Sequence, residues 1–194
     1  MPRKPAYRYR LQATRDWPAL IIDGFLMHRL KQTSPMRDAG QKAAALRPRR
    51  GWVLDTCFGL GYSSRCLTPA VNIVAIERDG RVLQLAAANP ASLPLLSQNN
   101  LYLLQGDSYS LLPVLPGSFF SFLLHDPPDI VKAGLLYSTA FFEHMFRVLK
   151  RGGRGFVYAG AKKPVTRGVQ RRLCRVGFSV RPLPRLDGFL ILKR

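Results

Sequence analysis

From Gly51 onward, short apolar runs alternate with helical stretches, and this alternation restricts the possible folds more than any other feature of the chain. The runs Trp52–Asp55, Asn72–Glu77, Leu101–Leu104, Phe119–His125 and Gly155–Ala159 are nearly continuous in apolar residues, as strands covered on both faces must be. Helical segments are predicted between and after them at Tyr62–Thr68, Gly80–Asn89, Ser108–Leu115, Ser138–Leu149 and Val165–Val176. In Ser138–Leu149 the residues Phe141, Phe142, Met145, Phe146 and Leu149 share one face, and Gly152-Gly153 follows as a stop. Two last apolar runs, Phe178–Arg181 and Phe189–Leu192, flank a Pro/Asp/Gly segment and read as a hairpin-like pair. The expectation is an α/β fold: a doubly wound, seven-stranded, mostly parallel sheet with right-handed crossovers, closed by an antiparallel strand.

The first fifty residues stand apart as a basic N-terminal extension to a domain at 51–194. Tyr7–Gln12 and Ala19–Met27 read as extended pieces, and Ser34-Pro35 is a cap and first turn for a helix over Met36–Leu46. The 194 residues suit one well-buried domain, and no apolar run approaches the roughly 18–20 residues of a membrane span. Met1–Arg10 is basic without an apolar segment behind it, which argues against a secretory signal. Cys57, Cys66 and Cys174 form neither a close pair nor a metal-ligand spacing. They read as reduced thiols of a cytoplasmic protein with no metal centre.

Net charge is +19 and unevenly spread: +9 over residues 1–50, −3 over 51–146 and +13 over 147–194. A near-neutral centre between two cationic ends fits a catalytic core with surface for a polyanion. Arg47, Arg49 and Arg50 precede the first strand of the alternation, and Lys162, Lys163, Arg167, Arg171 and Arg172 lie on or just before the last helix. Each is individually compatible with a solvated face; as clusters they suit the phosphate backbone of RNA, with a flipped or unpaired base entering a pocket.

The chemistry begins at Asp55-Thr56-Cys57-Phe58-Gly59-Leu60-Gly61, a strand-to-helix turn. Gly59 and Gly61 permit turn angles and close approach of a ligand to the backbone. The third glycine of a dinucleotide fingerprint is absent, with Ser64 in that region. Glu77 ends the second strand, where an acid can accept from both hydroxyls of a ribose; a capping acid for the helix starting near Asp79 is the lesser alternative. Gly106-Asp107-Ser108 follows the third strand, where Asp107 either accepts from an adenine amino group or caps a helix. In order and register these three elements resemble the S-adenosylmethionine (SAM) binding motifs of class I methyltransferases, over residues 51–160. The resemblance implies SAM as cofactor, held by Asp55, Gly59, Gly61, Glu77, Asp107 and Ser108.

His125-Asp126-Pro127-Pro128 ends the fourth strand. An exocyclic amine on a heteroaromatic ring is a weak nucleophile because its lone pair is delocalised. Asp126 and the Pro127 carbonyl can accept from it and aim the lone pair, while two prolines stiffen the loop. Asp-Pro-Pro resembles the catalytic motif of enzymes that methylate adenine N6, cytosine N4 or, in an Asn-Pro-Pro form, guanine N2. A bare rigid turn with a capping Asp is the alternative. His125 reads as a proton acceptor or as a structural strand-end histidine. That family carries an aromatic residue after the prolines to stack on the base; here Asp129-Ile130 stands in its place, leaving Tyr109, Tyr137 and Phe141 as possible stacking rings.

Asp23-Gly24 with Met27-His28-Arg29, the 55–62 turn, the 125–128 motif and Phe146–Gly153 together resemble a group of uncharacterised predicted archaeal methyltransferases. The combined expectation is an RNA N-methyltransferase acting on rRNA or tRNA. A small-molecule methyltransferase or polyamine aminopropyltransferase of the same fold is the alternative, and a non-catalytic RNA-binding module a second one.

Overall fold

The computed structural model describes residues 8–67 and 71–194. Its main sheet holds seven strands: β4 (Trp52–Asp55), β5 (Asn72–Glu77), β6 (Leu101–Gln105), β7 (Phe120–His125), β8 (Leu149–Tyr158), β9 (Ser179–Leu183) and β10 (Gly188–Leu192). Their spatial order is β6-β5-β4-β7-β8-β10-β9. β4, β5, β6, β7 and β8 pair in parallel, and β10 is antiparallel to both neighbours. The chain order reverses on either side of β4. The crevice beyond the carboxyl ends of β4 and β7 is therefore the switch point at which such sheets bind ligands.

Alternation along the strands fills a core on each face. Val53, Ile73, Phe122, Leu124 and Phe156 point into one layer. Leu54, Ile76, Leu123 and Val157 point into the other. This second layer is covered by α6 (Thr139–Val148) and α7 (Lys163–Val176). Ser138 caps α6 by accepting from the Phe141 N–H at 3.1 Å, and Phe141, Phe142 and Met145 are fully buried. Burial of each such side chain contributes roughly 1.5–3 kcal/mol.

The extension forms a three-stranded antiparallel sheet, β1 (Tyr9–Gln12), β2 (Ala19–Ile22) and β3 (Phe25–Leu26), followed by α1 (Pro35–Leu46). The segment expected as one piece, Ala19–Met27, divides because Asp23 and Gly24 take φ of 50° and 78° and turn the chain. Leu20, Ala39, Ala43 and Leu46 join the same core as Val53 and Phe156, so the extension shares the packing of the main sheet. Tyr7 and Thr68, end residues of two expected elements, lie outside the described residues.

Most expected boundaries hold to within one or two residues, and three regions depart further. The predicted helix Ser108–Leu115 is α5 (Ser108–Leu111) followed by a 3-10 turn at Leu112–Val114, since Pro113 has no N–H to continue the ladder. β8 begins at Leu149 and takes in Gly152-Gly153, expected only as a stop. There Gly152 N–H donates to the Lys193 carbonyl at 2.7 Å, and Lys193 N–H to Gly153 at 2.9 Å. α3 (Gly80–Ala87) stops short of Asn89, and an unexpected one-turn α4 (Leu93–Leu96) follows.

Candidate active site

Four strand ends meet at the crevice. At the end of β4, Asp55 is fully buried beneath the glycine turn and accepts from the Ser64 hydroxyl at 2.6 Å and the Cys57 N–H at 3.1 Å. Ser64, standing in the region of the missing third glycine, thus anchors this carboxylate from the first turn of α2 (Tyr62–Leu67). Burial pushes the Asp55 carboxyl up to about 7 against these hydrogen bonds, and the nearby charges of Asp126 and Glu77 add to the rise.

The two glycines of the turn differ. Gly61 has φ +76, and a Cβ there would collide with the Phe58 ring and reach within 2.9 Å of Leu95. Gly59 has φ +58 but open space within 4 Å of where its Cβ would stand. Gly61 is needed for packing, whereas Gly59 leaves the backbone open to a ligand. The Gly59 N–H donates to Glu77 at 2.8 Å, which places that carboxylate beside the open turn.

Glu77 also accepts from the Asp79 N–H at 2.9 Å, and burial raises its pKa. The helix cap is supplied by Asp79, whose side chain accepts from Arg81 N–H at the start of α3. Glu77 therefore faces the crevice without being the cap of α3. Asp107 does cap α5 through the Tyr109 N–H at 3.1 Å, with one carboxylate oxygen. Ser108 is buried, and its hydroxyl donates to the Thr56 carbonyl, tying the β6 loop to the β4 loop. The open space at Gly59 and the Glu77 and Asp107 carboxylates fit a ribose and an adenine amino group, so the residues present fit SAM.

At the end of β7, His125 is fully buried. One ring nitrogen lies 2.7 Å from the Thr56 hydroxyl and the other 3.0 Å from the Leu136 carbonyl. Burial drives its pKa down to about 3, so the ring is neutral, and it packs against Phe141, Tyr137 and Phe142. Both nitrogens are committed to holding the loop, and proton transfer here would require breaking one of these bonds. Pro127 is buried; the Pro128 carbonyl accepts from the Tyr137 hydroxyl at 3.1 Å. No described residue donates to the Pro127 carbonyl. Tyr137 and Phe141, two of the possible stacking rings, are inside the core.

Asp126 is partly open, with a side-chain exposure of 24%, and one of its oxygens lies 2.5 Å from Lys42 Nζ. Lys42, on α1, is buried and also meets Asp38 at 2.7 Å. Burial alone would depress the Lys42 pKa, but Asp126 and Asp38 outweigh it and hold the ammonium above its usual value. Arg29 joins Asp38 at 2.6 Å and Asp187 at 3.0 Å, so the network spans the extension and the β9–β10 connection. Motif reading missed Lys42. Its available signal was the buried stripe Asp38, Ala39, Lys42, Ala43 and Leu46, in which an Asp–Lys pair at i,i+4 sits among small apolar residues.

The basic clusters separate. Lys162, Lys163, Arg167 and Arg171 are exposed, and Lys162 and Lys163 follow β8 on the Asp126 edge of the sheet. A shallow cleft lined by Asp129, Ile130, Val131, Gly160, Lys162 and Val165 joins that edge to the Asp-Pro-Pro loop. Arg172 instead turns inward and donates to the Tyr137 carbonyl at 2.7 Å. Arg47, Arg49 and Arg50 precede β4 and so lie at the opposite, amino-terminal edge of the parallel strands. Phe25, 58% exposed, has Lys132 Nζ 3.4 Å from its ring centroid, placing an open aromatic ring beside the loop that follows Pro128.

No family model matches the chain. It is 38% identical over 169 residues to an uncharacterised protein of Methanocaldococcus jannaschii, covering 83% of this chain but only 58% of that protein. Among solved structures it is similar to spermidine synthase of Thermotoga maritima, with a TM-score of 0.78, 16% identity and coverage of 98% of this chain and 70% of that one. An MnmC2 protein of Aquifex aeolicus follows at TM-score 0.70, 17% identity and coverage of 98% and 71%. A protein of Methanococcus maripaludis described as a candidate SAM-dependent methyltransferase is similar at TM-score 0.61 and 16% identity, over 82% of this chain and 84% of that one. At these identities the likeness establishes the fold: an α/β, doubly wound, seven-stranded and mostly parallel sheet.

Proposed function

We propose that the chain is a SAM-dependent RNA methyltransferase that modifies an exocyclic amino group of a base, cytosine N4 or adenine N6 ahead of guanine N2, in rRNA or tRNA. The observation that carries this reading is Asp126. A partly open carboxylate at the end of β7 has one oxygen held by Lys42, while its other oxygen and the Pro127 carbonyl that follows are without a partner among the described residues. Bound over Gly59, SAM would supply an activated methyl group, the C–N bond forming as the C–S bond breaks.

The chain's own residues do the positioning. Asp126 and the Pro127 carbonyl accept from the amine and direct its lone pair, and Asp126 takes the proton released and passes it to water through its exposed side. Phe25 is a candidate for the aromatic surface that the sequence lacks after Pro128, and Lys162, Lys163, Arg167 and Arg171 for backbone contacts. The test is incubation with labelled SAM and total RNA of the source organism. Nuclease-sensitive label that disappears in Asp126→Ala is the expected result. No incorporation by folded enzyme, or label that survives nuclease, refutes it.

A second reading, a polyamine aminopropyltransferase, is favoured by the spermidine synthase likeness, which covers 98% of the chain. Turnover of decarboxylated SAM with putrescine or spermidine would establish it in place of the first.

A further inference from the structure

Lys42 is a buried cation that the proposed methyl transfer does not itself require. It is held by Asp126 at 2.5 Å and Asp38 at 2.7 Å, with the rings of Phe156 and Tyr158 at 5.8 and 5.6 Å. The half-buried ring of His28, held neutral and down to about 4 by desolvation and by the charge of Lys42, lies within reach of that charge. Asp38 is shared with Arg29, which also holds Asp187. Two cations thus face three carboxylates, and the whole cluster carries one net negative charge. A site built for a polyamine needs several uncompensated acids; within this cluster the acid open to the crevice, Asp126, is already paired from behind.

We infer that Lys42 determines the charge of the acceptor: by occupying one oxygen of Asp126 with a permanent buried cation, it admits a neutral amine at the other oxygen and excludes an ammonium. The inference rests on the proposed function in taking Asp126 as the group that receives the amine. A neutral N–H donor still finds a full carboxylate acceptor, with its geometry fixed by the ion pair. An ammonium at the same place would lie roughly 5 Å from Nζ, and like charges at that spacing weaken binding on the order of a hundredfold. A purely structural Lys42, pinning α1 to β7, would affect melting and leave amine selectivity unchanged.

The experiment is calorimetric titration of spermidine into the SAM-loaded protein, wild type and variants, with melting curves and RNA labelling on the same preparations. Lys42→Met is expected to gain at least tenfold in spermidine affinity over wild type, Lys42→Arg to gain nothing, and Asp126→Asn added to Lys42→Met to cancel the gain. Should Lys42→Met fail to fold, Lys42→Met/Asp38→Asn removes one charge of each sign and carries the same expectation. Equal spermidine affinity in wild type and a folded Lys42→Met-containing variant overturns the inference, as does tight binding by the wild type. RNA labelling by the wild type without that gain sinks the role of Lys42 alone. The gain without RNA labelling sustains the role of Lys42 and sinks the RNA reading.

Discussion

The two halves of the crevice hold their carboxylates in different ways. On the β4–β5–β6 side, Asp55, Glu77 and Asp107 are each fixed by groups close in the chain or on the adjoining turn: Ser64 and Cys57, Gly59 and Asp79, Tyr109. On the β7 side, Asp126 is fixed by a lysine 84 residues away, on a helix of the extension. The first arrangement needs only a strand, a turn and a helix; the second exists only when the extension is docked. The β4–β5–β6 half is therefore a local motif, and the β7 half a property of the assembled fold.

The largest expected effect separates the two. Asp126→Ala should lower RNA labelling by about a thousandfold while leaving SAM affinity unchanged, because positioned acceptors act on the reacting amine. Glu77→Ala should instead weaken SAM by roughly 10–100-fold through lost charge-assisted hydrogen bonds. Parallel loss of SAM affinity in both variants, measured by titration, would erase the distinction.

Stability against pH should also divide by half. Asp55, whose carboxyl is raised by burial to about 7, contributes stability present below about pH 4 and lost as pH rises through 7. His28 and His125, lowered by burial to about 4 and about 3, contribute stability present above about pH 6.5 and lost as pH falls towards those values. The two windows overlap with opposite slopes, so Asp55→Asn, which removes the falling contribution between about pH 4 and 7, should steepen the rise of melting temperature over that range. An unchanged slope between about pH 4 and 7 would contradict the assignment.

The two glycines offer a smaller contrast within the β4–β5–β6 half. Gly61→Ala should destabilise by about 2–3 kcal/mol, from positive φ plus collision with Phe58 and Leu95. Gly59→Ala, with open space around it, should cost about 1 kcal/mol in denaturant titration yet weaken SAM more than it weakens the fold. Equal destabilisation by the two would remove the case for an open approach at Gly59. The smallest effect concerns the basic clusters. Lys162→Ala/Lys163→Ala should reduce the salt dependence of RNA binding by up to about two phosphate contacts, and Arg49→Ala/Arg50→Ala by fewer, since the latter lie at the far edge of the sheet. The reverse order in a filter-binding salt series would move the RNA to the other edge.

By itself the sequence determined the strand–helix alternation, hence the sheet, and the positions of Asp55, Glu77, Asp107 and Asp126 at strand ends. Burial on two faces and turn chemistry leave periodic, short-range marks that a single chain displays. Only the tertiary structure decided that Asp79 and not Glu77 caps α3, that β8 extends back to Leu149 through pairing at Lys193, and that Arg172 is spent on the Tyr137 carbonyl. It alone decided that Lys42 closes on Asp126. The reason is range: a side chain's ionic partner across 84 residues follows from how α1 packs on the sheet, and no local spacing records it.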